Sequence, residues 1–179
     1  MTEKSLFAGF GGQGIISLGQ IWVYFAMKEG KNVTFFPFYG AEKRGGIARA
    51  SVIISDGEIA SPLVTTPDSV LVMNSDSLPI CEGALKPGGL MLVNSTLVKE
   101  EPKRKDIKTV KVDAQGIAEK IGDARIANMV ALGAMARLTG ALSLTDTEDI
   151  LKKFFSPDKH KFVPMNVEAI RAGFEVVSQ

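Results

Sequence analysis

The sequence is poor in the side chains that bind metals and carry redox chemistry. Its 179 residues include one cysteine, Cys81, and one histidine, His160. One cysteine excludes an internal disulfide, and iron–sulfur clusters are held by several cysteine thiolates. A structural zinc site likewise needs several Cys or His ligands. We therefore expect this chain to hold no metal ion and no cluster by itself.

Net charge and long apolar runs are also lacking. The formal charge of +1 at pH 7 argues against a nucleic-acid binder that neutralises many phosphates. No run approaches the roughly 18 uninterrupted apolar residues of a membrane span. The opening "MTEKSLFAGFGG" breaks at glycine and does not match a signal peptide. We expect a soluble, cytoplasmic protein without nucleic-acid or membrane partners, folded as one domain over residues 1–179.

What the sequence does contain is an alternation of strand and helix patterns. It predicts a three-layer α/β/α domain with a mixed sheet. The tight-turn pair Asp56-Gly57 favours antiparallel pairing of the second and third predicted strands. The predicted strands are residues 5–10, 32–38, 47–55, 69–74, 89–94 and 109–113. Helices are predicted over residues 14–29, between the fourth and fifth strands, and over most of the last third.

Two helical patterns in the last third make separate predictions. Residues 125–141 are apolar on most sides and rich in Ala and Gly, which favours close packing inside the chain over an oligomer seam. Asn128 opens this segment, and its amide is predicted to be a structural hydrogen-bonding group. Further on, Thr145 and Glu148 have the spacing of a capping box at the start of the next helix.

A glycine-rich loop follows the first predicted strand. In "GFGGQG", Gly9, Gly11 and Gly14 have the spacing Gly-x-Gly-x-x-Gly, with Gly12 and Gln13 between them. Such a loop suits a strand-to-helix turn, and the free N–H groups of the following helix attract phosphate or carboxylate. The alternative is that the glycines only permit close strand–helix packing. The spacing alone leaves both interpretations open.

The loop does not fit a nicotinamide dehydrogenase. The dinucleotide-binding fingerprint of such enzymes includes an acidic residue at the end of the second strand, which holds the ribose. The corresponding stretch here is "VTFFPFYG", and the first acid after it is Glu42. Gln13 adds a side-chain amide at the helix start, suited to a polar contact or to a neighbouring subunit.

A second loop, "YGAEKRGG", runs from Tyr39 to Gly46. With "GFGGQGIISLGQI" before it and "PDSVLVMN", "ANMVALGAMARLTG" and "NVEAIRAGFE" after it, it resembles the gamma subunit of 2-oxoacid:ferredoxin (acceptor) oxidoreductases. The resemblance covers residues from about Leu6 to Val176. Within the family, the two loops are most similar to the 2-oxoglutarate type. Ala41 departs from the proline common after Tyr-Gly, and Lys43 from a small or apolar residue.

This resemblance implies a reaction carried out by several subunits. The family decarboxylates a 2-oxoacid oxidatively with coenzyme A, giving acyl-CoA (succinyl-CoA for 2-oxoglutarate), CO2 and electrons. Thiamine diphosphate, Mg and 4Fe–4S clusters are then implied on alpha, beta and delta subunits, with ferredoxin or flavodoxin as acceptor. The implied fold is Rossmann-like with a mostly parallel sheet, similar to domain III of pyruvate:ferredoxin oxidoreductase. No catalytic residue is expected on this chain, and a homodimer stays open.

The resemblance also implies a site. We expect the two loops to lie side by side at the carboxyl ends of strands and to contact coenzyme A, or to form a subunit interface. Arg44 would pair with a phosphate or with a partner's carboxylate, and Glu42 would hold Arg44 or cap the next turn. The candidate binding residues are Gly9, Gly11, Gly12, Gln13, Gly14, Tyr39, Glu42, Arg44, Gly45 and Gly46. Pyruvate, branched-chain or indolepyruvate substrates, a pure scaffold role and a free-standing nucleotide-binding enzyme are the alternatives.

Overall fold

A computed structural model describes residues 1–40 and 46–178. The strands are β1 (Thr2–Phe10), β2 (Asn32–Tyr39), β3 (Ile47–Ser55), β4 (Ser69–Val72), β5 (Leu90–Asn94) and β6 (Lys108–Val112). The α-helices are α1 (Ile15–Lys28), α2 (Leu78–Ala84), α3 (Ala114–Ile121), α4 (Ala127–Thr139), α5 (Thr147–Phe154) and α6 (Val163–Val176). Short 3-10 turns precede α2, α4 and α6. None of the described helices has the length and apolar character needed to cross a membrane.

The strands form one mixed sheet in the order β2-β3-β1-β4-β5-β6. The pairs β1–β4, β4–β5 and β5–β6 are parallel, and the chain returns from β5 to β6 through residues 95–107, which form no helix. β3 runs antiparallel to both of its neighbours, β1 and β2. The predicted mixed, mostly parallel sheet is therefore confirmed, and the carboxyl ends of β1, β2, β4, β5 and β6 lie at one edge.

One face of this sheet carries most of the core. Its inward side chains include Phe7 of β1 and Leu71 of β4, and helices α1, α3, α4, α5 and α6 supply the rest of the same cluster. Trp22 of α1 is fully buried, and its ring meets Phe7 edge to face at 5.7 Å. Burial of such large aromatic side chains contributes most per residue to core stability, so this face anchors α1 to the first strand.

The opposite face is covered less completely. A smaller cluster there joins α2 to alternate residues of β1, β4 and β5, with Cys81 and Leu85 fully inside it. The face formed by β2 and β3 carries Phe36 and Phe38, which are 52% and 44% exposed. The domain is thus a three-layer α/β/α fold whose third layer covers only part of the sheet.

Helices α4 and α6 pack with their backbones unusually close. A Cβ atom on Gly133 of α4 would overlap the carbonyl group of Ile170, and one on Gly173 of α6 would overlap that of Val130. Small residues permit this approach, and α4 is buried from Ala127 to Ala136. The Ala- and Gly-rich segment packs inside the chain, as predicted.

The predicted capping box is wrong. Helix α5 begins at Thr147, and its N-cap is Asp146, which has a left-handed backbone (φ 56°) and makes no side-chain capping bond. The Thr145 hydroxyl instead lies within hydrogen-bond distance of Ser143, at 3.4 Å. A box formed by Thr145 and Glu148 requires Thr145 to be the N-cap, and the helix begins one residue too late for this.

Candidate functional site

The glycine loop turns the chain from β1 into α1 at the carboxyl edge of the sheet. Gly12 and Gly14 both have left-handed backbones, with φ of 98° and 71°. Gly14 is the N-cap of α1, and its carbonyl accepts the first helical hydrogen bond, from the Leu18 N–H at 2.8 Å. Gly11 and Gly12 are exposed. The first-turn N–H groups of α1 therefore point toward the same edge at which the exposed loop lies.

The Gln13 side chain holds this loop in place. Its Oε1 accepts a hydrogen bond from the Phe10 N–H at 2.6 Å, and its Nε2 donates to the Met73 carbonyl at 3.0 Å. A Cβ on Gly9 would lie 2.5 Å from that Oε1, so Gly9 leaves room for the amide. Gln13 thus ties the ends of β1 and β4 together within the chain.

The structure brings the two predicted loops together at their bases. The Gly11 N–H donates to the Gly46 carbonyl at 3.0 Å, and the Gly40 N–H donates to the Ile47 carbonyl at 2.9 Å. Tyr39 ends β2 beside them and is 64% exposed. Glu42, Arg44 and Gly45, three of the predicted site residues, lie outside the described residues.

A cleft borders the glycine loop at this edge, and we call it the edge cleft. It consists of two cavities of about 280 and 330 Å³ that share Arg125 and Asn128. The first is lined by Gly12, Gln13, Met73, Leu97, Gln115, Ala124, Arg125, Ala127 and Asn128. The second is lined by Gly14, Ser17, Asp123, Arg125, Ile126, Asn128, Met129, Phe155, Lys159, Phe162, Met165 and Asn166. The lining mixes apolar side chains with two cations, Arg125 and Lys159, and one carboxylate, Asp123.

Two helix N-termini meet inside the edge cleft. The Asn128 Nδ2, in the first turn of α4, donates to the carbonyl of Gly14 at 3.3 Å. A Cβ on Gly14 would overlap that amide. This confirms Asn128 as a structural hydrogen-bonding group. The contact also brings the N-termini of α1 and α4 together, and their partial positive charges favour an anion at this point.

Arg125 places a guanidinium at this point, paired with the carboxylate of Asp123. Its guanidinium binds Asp123 through Nε at 2.9 Å and Nη2 at 2.6 Å, yet the side chain remains 84% exposed. The hydrogen bonds from the Arg125 side chain hold the pKa of Asp123 below its usual value, with its backbone N–H adding to the effect. A guanidinium fixed in this way can still offer donors to an incoming phosphate.

Sequence reasoning missed several residues of the edge cleft. Arg125 was included only as the start of a helical segment, and Gln115, Lys159 and Phe162 received no role. The available signal was local: Asp123 stands two residues before Arg125, just ahead of α4. Nothing in the sequence joins that pair to Gly12, because they meet only through the packing of α4 beside α1.

The described residues offer little to a metal or cluster. Among them, no group of three or more His, Cys, Asp or Glu side chains is placed to hold a metal ion. Burial raises the pKa of the Cys81 thiol to about 12, against the opposing charge of Arg49. A fully buried thiol of this kind does not fit as a thiolate ligand.

Comparison with known proteins identifies the class. A profile of the family "pyruvate ferredoxin/flavodoxin oxidoreductase" matches residues 4–176. Because this match spans nearly the whole chain, the chain belongs to this family. A solved structure, the gamma subunit of a keto/oxoacid ferredoxin oxidoreductase from Geobacter sulfurreducens, is 33% identical with a TM-score of 0.85. The match covers 98% of this chain and 95% of that one, which confirms the resemblance to gamma subunits.

Two curated relatives differ in length and in substrate. The 2-oxoglutarate synthase subunit KorC of Methanothermobacter marburgensis is 33% identical, over 100% of this chain and 98% of the relative. The ketoisovalerate oxidoreductase subunit VorA of Methanothermobacter thermautotrophicus is 37% identical over 94% of this chain, but over 35% of its own length. The chain thus spans about a third of VorA, and most of that relative lies outside the match.

Proposed function

We propose that the chain is the gamma subunit of a 2-oxoacid:ferredoxin oxidoreductase that acts on 2-oxoglutarate. The end-to-end likeness to KorC supports the 2-oxoglutarate assignment, since it spans 98% of that relative. The Tyr39-Gly40 sequence in the second loop agrees with the same type. Pyruvate, ketoisovalerate and other branched-chain substrates are the competing assignments, because VorA matches at 37% identity and a gamma subunit common to pyruvate and ketoisovalerate oxidoreductases matches at 39%.

In this proposal the edge cleft and the two loops handle coenzyme A. One observation carries it: the N-termini of α1 and α4 meet at Gly14 and Asn128, beside the exposed guanidinium of Arg125. Coenzyme A carries a pyrophosphate and a further phosphate, which suit helix N-termini and a forked guanidinium. Met73 and Leu97 supply apolar walls for its uncharged arm. Arg44, which lies outside the described residues, is assigned a second phosphate contact on the basis of the family resemblance alone.

The other parts of the reaction are assigned to the alpha, beta and delta subunits. Thiamine diphosphate with Mg supplies the decarboxylation chemistry when bound there, and 4Fe–4S clusters pass electrons to ferredoxin or flavodoxin. The buried Cys81 thiol does not fit a cluster. This chain is assigned the binding and orientation of coenzyme A and the closure of the site, as a single accessory domain in the cytoplasm.

Coenzyme A titration of the assembled complex tests this assignment. Arg125→Ala removes a proposed phosphate partner and is expected to weaken the binding of coenzyme A about tenfold, a typical loss for a charge-assisted contact. Arg44→Ala and Gly12→Val are expected to act in the same direction. Arg137→Ala is the matched control, because Arg137 lies in the last turn of the same helix, over the Phe174 ring. Unchanged affinity in all three site variants would overturn coenzyme A contact.

The second candidate is an interface role for the loops, which Tyr39 favours because it is 64% exposed at the loop base. Size exclusion of the complex separates the two roles. Normal assembly of Tyr39→Ser and Gly12→Val removes support for the interface, whereas lost assembly with full coenzyme A affinity in the residual complex supports it.

A further inference from the structure

The uncovered half of the sheet face forms a groove on the side opposite the main core. The register pairs Phe36 with Ser51 and Phe38 with Arg49, and pairs Leu6 with Ser51, so these side chains share one face. We call the result the strand-face groove. It has a volume of about 270 Å³, and its principal lining residues are Leu6, Phe36, Phe38, Arg49, Leu63 and Ile80.

The apolar walls of the strand-face groove are open to solvent. Phe36 is 52% exposed, Leu63 is 62% exposed and Ile80 is 38% exposed. Large apolar side chains gathered around one depression are typical of a protein interaction site. The residues at 58–67 run beside it without secondary structure, and α2 borders its other side.

Arg49 makes the strand-face groove suited to a ligand that carries a negative charge. Its guanidinium carbon lies 4.4 Å from the centroid of the Phe38 ring. Its Nε is buried and has no hydrogen-bond partner. Across residues 1–40 and 46–178, no carboxylate forms an ion pair with it. A half-buried cation among apolar groups is stabilised by an anion brought from outside.

We propose that the strand-face groove binds a segment of a partner subunit of the same oxidoreductase, with an apolar side chain against Phe38 and a carboxylate on Arg49. The proposal rests on the proposed function, since it needs such partner subunits. It names the surface through which this chain is held, on the face of the sheet away from the core helices. The edge cleft then remains free for coenzyme A.

Two observations favour a partner subunit over a second copy of this chain. A two-fold pairing through the groove brings the same surface from each copy together. The described lining of the groove includes no Asp or Glu, so such a pairing would bring two Arg49 side chains into one interface without a carboxylate for either, which is unfavourable. In VorA, moreover, the matched segment is 35% of a longer chain. A domain of this kind is therefore joined there to further polypeptide, and the proposed function assigns the counterpart of that polypeptide to partner subunits.

The test measures binding of the full chain to the alpha and beta subunits encoded with it, as purified proteins. Leu63→Lys and Arg49→Glu are expected to raise the dissociation constant at least about tenfold, the size of a central interface contact. Met27→Lys is the matched control, because Met27 is 60% exposed on α1, on the opposite face. It should stay within about twofold. Leu63 lies in exposed coil, so its substitution leaves the fold intact.

Each outcome decides between named alternatives. Weaker binding by both groove variants, with a photo-crosslink from position 38 to an Asp- or Glu-containing peptide of a partner subunit, supports the proposal. Unchanged binding by both variants overturns it and leaves the proposed function standing. Loss of a homodimer without loss of partner binding assigns the groove to a second copy. Wild-type chain that binds neither subunit overturns the proposed function as well.

Discussion

The amide of Gly11 donates a hydrogen bond to the carbonyl of Gly46 at 3.0 Å. This single contact fastens the end of the second loop to the glycine loop, although the two are separated by α1 and β2 in the chain. Gly46 immediately precedes β3, which pairs with β1 along its whole length from Thr2 to Phe10. The described base of the second loop, Gly40 and Gly46, is consequently fastened to the glycine loop, and a change that displaces Gly11 is expected to displace this base.

The first prediction concerns Gln13. Gln13→Ala removes the acceptor of the Phe10 N–H and the donor to the Met73 carbonyl. Loss of these bonds is expected to cost about 1–3 kcal/mol in the free energy of unfolding, because partly buried backbone groups are left unpaired. Urea denaturation measures the difference.

Gln20→Ala serves as the control for Gln13→Ala. Gln20 is exposed on α1, and alanine is the better helix former. Its stability should equal or slightly exceed that of the wild type. If the two alanine variants denature alike, Gln13 does not hold the loop.

The second prediction concerns the close packing of α4 and α6. Gly133→Ala and Gly173→Ala each place a methyl group on a backbone carbonyl of the facing helix. The helices must separate, and we expect a loss of about 1–3 kcal/mol or more in unfolding free energy. Gly83→Ala in α2 has nothing within 4 Å of the new methyl and should stabilise the protein by about 0.4–1 kcal/mol. Three equal melting temperatures would contradict this packing.

The third prediction concerns pH and Glu3. Burial raises the pKa of Glu3, although Ser69 donates to its Oε1 at 2.6 Å and works against the shift. A carboxyl whose pKa is higher in the folded state stabilises the fold at low pH and loses that contribution as pH rises through the folded value. Glu3→Gln is therefore expected to be more stable than the wild type at neutral pH. The advantage should shrink as the pH falls toward 4.5, the ordinary value for this group.

Asp113→Asn provides a comparison of opposite sign. Hydrogen bonds from the Thr96 hydroxyl and the Gly116 N–H lower the pKa of Asp113, which caps α3. The contribution of Asp113 to stability is present above its pKa in the unfolded state. It is lost as the pH falls through its lower pKa in the folded state. Asp113→Asn should be destabilised at neutral pH, with the difference closing in acid. Parallel pH profiles for the two variants would contradict at least one of the two assignments.

Much of the fold was predictable because local chemistry marks its elements. β3 has the predicted bounds, Ile47–Ser55, since Gly46 and Asp56-Gly57 frame a β-branched, apolar stretch. The ends of other strands depend on the strands with which they pair. β1 begins at Thr2, ahead of the predicted start, because its polar N-terminal residues pair with β3, Thr2 opposite Ser55. Pairing of this kind cannot be inferred from the residues of one strand alone.

The candidate site, like the fold, was predictable from the sequence only in part. The two glycine-containing loops could be expected at one edge, because chain direction places strand ends there. The contribution of Arg125 could not, since it depends on how α4 sits against α1 through Gly14 and Asn128. Similarly, Phe36 and Phe38 looked like ordinary strand residues. Their exposure follows from the short third layer, which the sequence pattern does not reveal.

The central claim is that this chain completes a coenzyme A-dependent 2-oxoacid oxidoreductase. The most direct measurement is 2-oxoacid-dependent reduction of ferredoxin by the alpha and beta subunits (with delta where it is encoded), before and after this chain is added. We expect coenzyme A-dependent activity that requires this chain and is fastest with 2-oxoglutarate. Full coenzyme A-dependent activity without the chain, or no activity with any 2-oxoacid after its addition, would contradict the account.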